Sequence, residues 1–371
     1  MYYTETKRFR RPLGRCLRRF LPALFVGALI FSGCKGKPAV QKPEELSPGP
    51  DFTLSPEAED LVRRGINSHD QGDYKTAIDY YKKALDIAPN HPVIHYEMGF
   101  SYLSMGDSGA ALEQADKGIT GARSRNFNEV IPSLLDLKGS ALDNLGRSEE
   151  AIGAYLEAIN KYGVANTLVY YNLGLSYYRV GRREESLNAL REGLLINPNH
   201  GSSNYLLGRI SLEDGMKTKA FYALCYFLLL EPYTDRASQA YNALVNMLVN
   251  REETVGFRDN GTFTPADLII SLAFTLDEAN FRMTEQEKVR AKLYYVFTSL
   301  EEQKNSGKIA RSKGDELWWD FYSPFFYRIA KSGYFETFCR YIGLTADPDA
   351  DEWIENGRDE IENFFDWLNA Y

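Results

Sequence analysis

The sequence predicts an all-α protein: a solenoid of stacked helix pairs closed by a helical C-terminal cap. Two regularities predict it. Gly65, Gly99, Gly139, Gly174 and Gly208 recur at intervals of 34, 40, 35 and 34 residues, and each is followed seven residues later by a second glycine (Gly72, Gly106, Gly146, Gly181, Gly215). Twelve residues after each first glycine stands a small residue: Ala77, Ala111, Ala151, Ser186 or Ala220. Between these marks apolar residues fall at helical spacing, as in Ala77, Ile78, Tyr81, Ala84 and Leu85.

Composition narrows the function classes. The chain has 371 residues, 44% hydrophobic and 25% charged, with four cysteines and four histidines, which fits a globular protein and not a disulfide framework. It contains no apolar run of about 18 residues, which argues against a multi-pass membrane protein. Its net charge of -8 argues against nucleic acid as the main partner, because a phosphate-binding face needs a basic excess.

The first element is a leader. Lys7, Arg8, Arg10, Arg11, Arg15, Arg18 and Arg19 precede a twelve-residue apolar stretch, Phe20 to Phe31, which is short for a membrane span and has the layout of a secretory signal. The stretch ends in Phe31-Ser32-Gly33-Cys34, which resembles the lipobox of bacterial lipoproteins, with Phe31 where leucine is usual. The resemblance implies cleavage after residue 33, acylation of Cys34 with fatty acid such as palmitate, and residence in the bacterial envelope. Lys35 after that cysteine, with no acidic run behind it, fits retention on the periplasmic face of the outer membrane. An uncleaved anchor or a non-lipidated signal is the alternative. Removing the leader takes seven bases and one acid from totals of 43 and 51, leaving 36 and 50, a net of -14. Such a body is not drawn to anionic headgroups, so acyl chains would have to hold it there. Cys225 and Cys339, both among apolar neighbours, read as buried thiols and not as a disulfide.

Residues 34–56 read as a tether, with Pro38, Pro43, Pro48, Pro50 and Pro56 blocking helix and strand. Its 22 residues after Cys34 reach on the order of 70 Å at about 3.1 Å each.

Five units follow: 58–91, 92–125, 132–165, 167–200 and 201–234. Leu61, Gly65, Ala77, Tyr81, Ala84 and Pro89 in the first, Tyr170, Leu173, Gly174, Tyr177 and Pro198 in the fourth, and Leu207, Gly208, Ala220 and Pro232 in the fifth resemble the tetratricopeptide repeat (TPR) signature. The resemblance implies a right-handed TPR α-solenoid. The first glycine, facing the small residue on the second helix, is expected to let two backbones approach, and the second glycine to make the turn. Units two and three lack the closing proline, and the extra spacing between them falls in Thr120 to Ile131, where a longer helix or loop should project. Unit five carries Phe227 where the others have Ala84, Gly118, Ala158 and Gly193, within an apolar run, Phe221 to Leu230. A helix apolar on every side must be covered on every side, first by residues 236–250 and then by the rest of the C-terminal region, 235–371.

In that region, residues 251–263 read as a loop, Thr264-Pro265 as a helix start, and Thr284 to Glu287 as a capping box. All four tryptophans lie there, beside Phe321, Tyr322, Phe325, Phe326 and Tyr327. They form either the core of the cap or an exposed docking patch.

Candidate chemistry gives way to structural readings. Gly106-Asp107-Ser108-Gly109 looks like a serine-protease nucleophile segment, but it sits at the turn of unit two and has no supporting His and carboxylate. His91 and His95 have metal-like spacing, yet His91 and His200 occupy the same repeat position. Asp347, Asp349 and Asp351 resemble the opening of a calcium loop without its glycine and closing glutamate, and fit an acidic helix start. No catalytic residue, metal ligand or cofactor motif is assigned.

What remains is a surface. Arrays of this kind present a concave face lined by the first helix of each unit, which takes a peptide or partner protein. The family positions place Tyr96, Phe100, Tyr171, Leu175, Tyr178, Arg179, Tyr205 and Arg209 there, with Val62, Ile66, Leu103, Asp136, Ser140 and Asp143. Aromatics with arginines suit a binding hot spot, although some of these side chains could instead pack against the protein's own cap. Val62 and Ile66 replace the Lys and Asn of the family's chaperone-tail clamps, which argues against an acidic C-terminal tail as ligand. The expected function is a non-enzymatic scaffold or adaptor lipoprotein. The alternatives are an enzyme with its site in the C-terminal region and a homo-oligomer joined through the groove.

Overall fold

The computed structural model describes residues 53–249, 264–273, 283–309, 311–312 and 314–370. The leader, Cys34, most of the tether and the loop at 251–263 lie outside the described residues.

Five helix pairs form the array: α1 (Pro56–Asp70) with α2 (Tyr74–Ile87), α3 (Pro92–Ser104) with α4 (Ser108–Ser124), α5 (Ile131–Asn144) with α6 (Ser148–Tyr162), α7 (Thr167–Arg179) with α8 (Arg183–Ile196), and α9 (Gly201–Glu213) with α10 (Lys217–Leu230). Several starts follow from a local device. Ser55 accepts from the Ala58 N–H at 3.3 Å with Pro56 in the first turn, and Asp73 and Asp107 accept from Thr76 and Ala110 at 3.2 and 3.0 Å. Gly106 therefore turns the chain, at φ +84°, and Asp107 caps α4, which accounts for the Gly-Asp-Ser-Gly segment. The extra residues between units two and three lengthen α4 to 17 residues and add a short 3₁₀ turn, Asn128–Val130.

The close approach within a unit differs from the expected glycine-on-alanine contact. A Cβ at Gly139 would meet the Tyr155 ring at 2.5 Å, one at Gly174 would meet Leu190 at 2.8 Å, and one at Gly208 would meet Leu224 at 2.7 Å. In units one, three, four and five the helices cross one turn beyond the small residue, so a large side chain sixteen residues after the glycine fills the space its missing Cβ leaves; in unit two that position is Ala115, and Leu137 of α5 fills the space at Gly99 instead, at 2.6 Å. The small residue still lies alongside: Ser186 donates its hydroxyl to the Gly174 carbonyl at 2.7 Å.

The array does not end at α10. Next come α11 (Asp235–Val249), α12 (Pro265–Leu272), α13 (Glu285–Asn305), a π-helical turn (Leu317–Tyr322), α14 (Ser323–Ala330), α15 (Phe335–Ile342), a 3₁₀ turn (Leu344–Ala346), α16 (Ala350–Asn356) and α17 (Arg358–Asn369). Both threonine capping boxes form, Thr264 with Asp267 and Thr284 with Glu287. The described residues are all-α, without strands, and none of their helices is long and apolar enough to cross a membrane.

Helix α10 is buried on every side from Lys217 to Leu229 except Lys219. Phe221 packs on Phe297 at 5.3 Å between ring centres, Tyr222 stacks on Phe326 at 5.8 Å, Tyr226 meets Phe325 at 5.2 Å, and Phe297 stacks on Phe326 at 4.7 Å. The aromatic cluster of the C-terminal region is thus mainly core: Trp318, Trp319 and Trp353 are buried, and Trp367 is half-buried with the Arg328 guanidinium over its ring at 5.2 Å. Unit five and the cap share one hydrophobic core.

Candidate functional site: the concave face

Successive first helices touch one another along the array, which sets α1, α3, α5, α7 and α9 on its inner side. Their polar side chains meet at close to one repeat of sequence separation. His69 Nδ1 pairs with the Ser101 hydroxyl at 2.7 Å, Asn172 Nδ2 donates to Asp136 at 3.1 Å, and the Ser176 hydroxyl donates to Asp143. Tyr178 Oη donates to Glu213 at 3.2 Å, and Tyr205 Oη donates to Gln239 of α11 at 2.8 Å. The last contact shows that α11 occupies the place of a sixth first helix.

The expected groove residues divide into two groups. Phe100 is 42% exposed and stacks on His69 of α1 (4.9 Å) and on half-buried Tyr96 (6.3 Å, planes 3° apart). Arg179 and Arg209 are exposed, and Tyr171, Leu175 and Tyr178 are half-buried, with Tyr171 edge-on to His200 at 5.2 Å. Tyr205 differs. It is only 8% exposed, packs on Phe227 at 4.9 Å, and has the Arg236 guanidinium over its ring at 5.4 Å, so α11 and α10 largely take it up.

The charges of this face are polarised along the array. Toward the C-terminus the guanidiniums are paired: Arg179 with Asp143 at 3.3 Å, Arg183 with Glu213 and Asp214 at 2.8 and 2.6 Å, and Arg209 with Glu213 at 3.4 Å. Toward the N-terminus stand Asp70, Glu97 and Asp136, which no cation among the described residues reaches in an ion pair. Burial pushes the Glu97 carboxyl above its usual range, and the Asp70 charge adds to the effect. Burial raises Asp136 as well, partly offset by the Asn172 hydrogen bond.

Asp136 belongs to the expected lining, but Asp70, Glu97 and the floor beneath them were missed from sequence. Tyr81 and Tyr155, read there as packing residues, lie over Gly65 and Gly139 and carry their hydroxyls to the inner side. Tyr155 Oη lies 3.3 Å from the Ser140 hydroxyl, close enough to Asp136 and Asp143 to feel their charge. The Tyr81 side chain is fully buried, its hydroxyl has no hydrogen-bond partner, and Glu97 and Asp70 are the acids that act on it. Their common spacing after the repeat glycine was the available signal.

The other candidate residues are structural. His95 is buried, its Nδ1 2.8 Å from Gln114 Oε1; His200 opens α9 and bonds Ser203. Asp347 accepts from Arg340 and from the Asp349 N–H at 2.9 Å each.

Models of the TPR repeat match residues 68–106, and models of the tetratricopeptide repeat match 132–160 and 167–200. The chain therefore carries tetratricopeptide repeats, and its array is a TPR solenoid. A TPR repeat-containing protein of Methanocaldococcus jannaschii is 33% identical over 130 residues, 35% of this chain and 21% of that one. The BBSome complex member BBS4 of Bos taurus is 21% identical over 184 residues, 50% of this chain and 34% of that one. The chain thus spans about a third or less of the length of these relatives. Among solved structures, MamA from Desulfovibrio magneticus is 19% identical, covering 49% of this chain and 99% of that one with a TM-score of 0.42.

Proposed function

We propose that this protein is a non-enzymatic adaptor, a lipid-anchored TPR protein of the bacterial envelope that binds a peptide or partner protein on its concave face. The observation that carries the reading is the set formed by Tyr96 and Phe100 of α3 and Tyr171, Tyr178 and Arg179 of α7, which presents aromatic and guanidinium groups from two inner helices while Tyr205 is withdrawn into the cap. Aromatic and arginine side chains held on a rigid scaffold lose little entropy on binding and dominate the energy of such interfaces. One relative is itself a member of a protein complex, which accords with an adaptor role. The envelope part rests on the basic leader, the Phe31 to Cys34 lipobox likeness and the proline-rich tether, whose reach suits assembly or secretion work on the periplasmic face of the outer membrane.

The test uses the full chain as bait in detergent-solubilised envelope, beside a Tyr96→Ala/Tyr171→Ala/Tyr178→Ala variant with an unchanged melting curve. A partner captured by the first and lost by the second supports the groove; equal capture by both overturns it. Labelling cells with a tagged fatty acid tests the anchor, since Cys34→Ala must abolish incorporation.

A further inference from the structure

The acidic half of the groove narrows the partner's chemistry. Asp70 ends α1, Glu97 lies on α3 between Tyr96 and Phe100 in sequence, and Asp136 on α5 lies near enough to Tyr96 to act on its hydroxyl. Beside these carboxylates stands an exposed aromatic stack, Phe100 on His69 and on Tyr96. Beneath them lies the hydroxyl of fully buried Tyr81, near Ser101 and close enough to Glu97 and Asp70 to feel their charge.

Resting on the adaptor reading, we propose that units one to three seat a cationic segment of the partner, with arginine or lysine heads against Glu97, Asp70 and Asp136 and their stems on the Phe100 and Tyr96 rings. A guanidinium suits this set because one planar group can pair with a carboxylate and stack on an aromatic face together. Glu97 and Asp136 have already lost much of their water and have no cation, so their desolvation cost is partly met before the ligand arrives, while Asp70 adds its exposed charge. The contrast along the same face sharpens the assignment: Arg179, Arg183 and Arg209 are already neutralised by Asp143, Glu213 and Asp214, leaving the uncompensated charge in units one to three.

The experiment is fluorescence anisotropy on the full chain with labelled peptides of equal length and apolar content carrying arginines, glutamines or glutamates. The arginine peptide is expected to bind, to weaken as salt is raised, and to lose about tenfold in affinity on Glu97→Gln/Asp136→Asn. Phe100→Ala should weaken it as well. Glu149→Gln/Glu184→Gln, on exposed first turns of α6 and α8, should leave it unchanged and thereby separates the groove from the protein's overall negative field. Arginine and glutamine peptides binding alike, or equal losses from inner and outer pairs, overturns the proposal. Preferred glutamate-peptide binding that Tyr171→Ala/Tyr178→Ala abolishes overturns it while leaving the groove as the working surface. Absence of binding by all these peptides also overturns it, and the envelope capture then decides the adaptor reading separately.

Discussion

Asp267 accepts hydrogen bonds on one carboxylate oxygen from both the main-chain N–H and the hydroxyl of Thr218, each at 2.7 Å. Its other oxygen accepts from the Thr264 N–H and hydroxyl at 2.9 and 2.8 Å. One carboxylate, 2% exposed, therefore closes the N-termini of α10 and α12 together, and Met216 at the start of α10 offers no cap of its own. Asp267→Ala strands the two buried donors of Thr218 and takes the partner from two more on exposed Thr264. It should cost about 3 kcal/mol or more in urea denaturation, given that hydrogen bonds to a charged group contribute about 1.5 to 3 each. A loss below about 1 kcal/mol would show that water replaces the carboxylate there.

Two glycines of unit three should respond with opposite signs. At Gly139 an added Cβ would lie 2.5 Å from the Tyr155 ring, whose exit is blocked because the residue is 1% exposed; Gly139→Ala should destabilise by roughly 1 to 3 kcal/mol. Gly153 lies inside α6 with nothing within 4 Å of its would-be Cβ, so Gly153→Ala removes only backbone freedom from the unfolded chain. It should stabilise by about 1 kcal/mol. Thermal melts of the two variants check the pair; the same sign for both would refute the packing account.

The glycine period, the capping threonines and the all-round apolar α10 were legible because each depends on local spacing. The partner of each repeat glycine was not, since the crossing point of two helices is a property of packing and moves the contact one turn from Ala151 to Tyr155. Thr264-Pro265 marked the start of α12, but the role of Asp267 was not legible, because it joins residues 49 apart in sequence. Within the groove, the inner-face assignment followed from repeat position. That Tyr205 is largely taken up depended on α11 continuing the period, with Gln239 34 residues after Tyr205, and no glycine marks that helix.

The raised carboxyls of Glu97 and Asp136 make a signed pH prediction. An acid held above its usual range in the folded state keeps its proton longer there than in the unfolded chain. Stability therefore falls as pH rises through the carboxylate range, and the penalty is fully present at neutral pH. The groups that act with them are Asp70, Tyr81 and Tyr96 for Glu97, and Asn172, Tyr96 and Tyr155 for Asp136, none of them a cation. Glu97→Gln/Asp136→Asn should raise the melting temperature at pH 7, with the gain shrinking to nothing below about pH 4. A lower melting temperature at pH 7 would mean that these carboxylates hold the inner helices together.

A chain ending at residue 249 separates the array from its cap, and the packing of α10 predicts how it fails. Phe221, Tyr222 and Tyr226 are at most 1% exposed, and their ring partners, Phe297, Trp319, Tyr322, Phe325 and Phe326, all lie beyond the cut. Asn204 of α9, fully buried, would also lose the hydroxyl of Tyr322 that it accepts in the intact chain. Fully burying each aromatic is worth about 2 to 3 kcal/mol, so exposing three of them consumes most of the 5 to 15 kcal/mol that an ordinary domain has in hand. An exposed aromatic face of that kind associates with itself. The truncated protein should elute as larger species than the full chain or precipitate, whereas Phe326→Ala in the full chain should keep the elution volume of the unaltered protein and lose about 3 to 5 kcal/mol. A soluble, monomeric 249-residue form with the helicity of five intact pairs would show that the array folds without its cap.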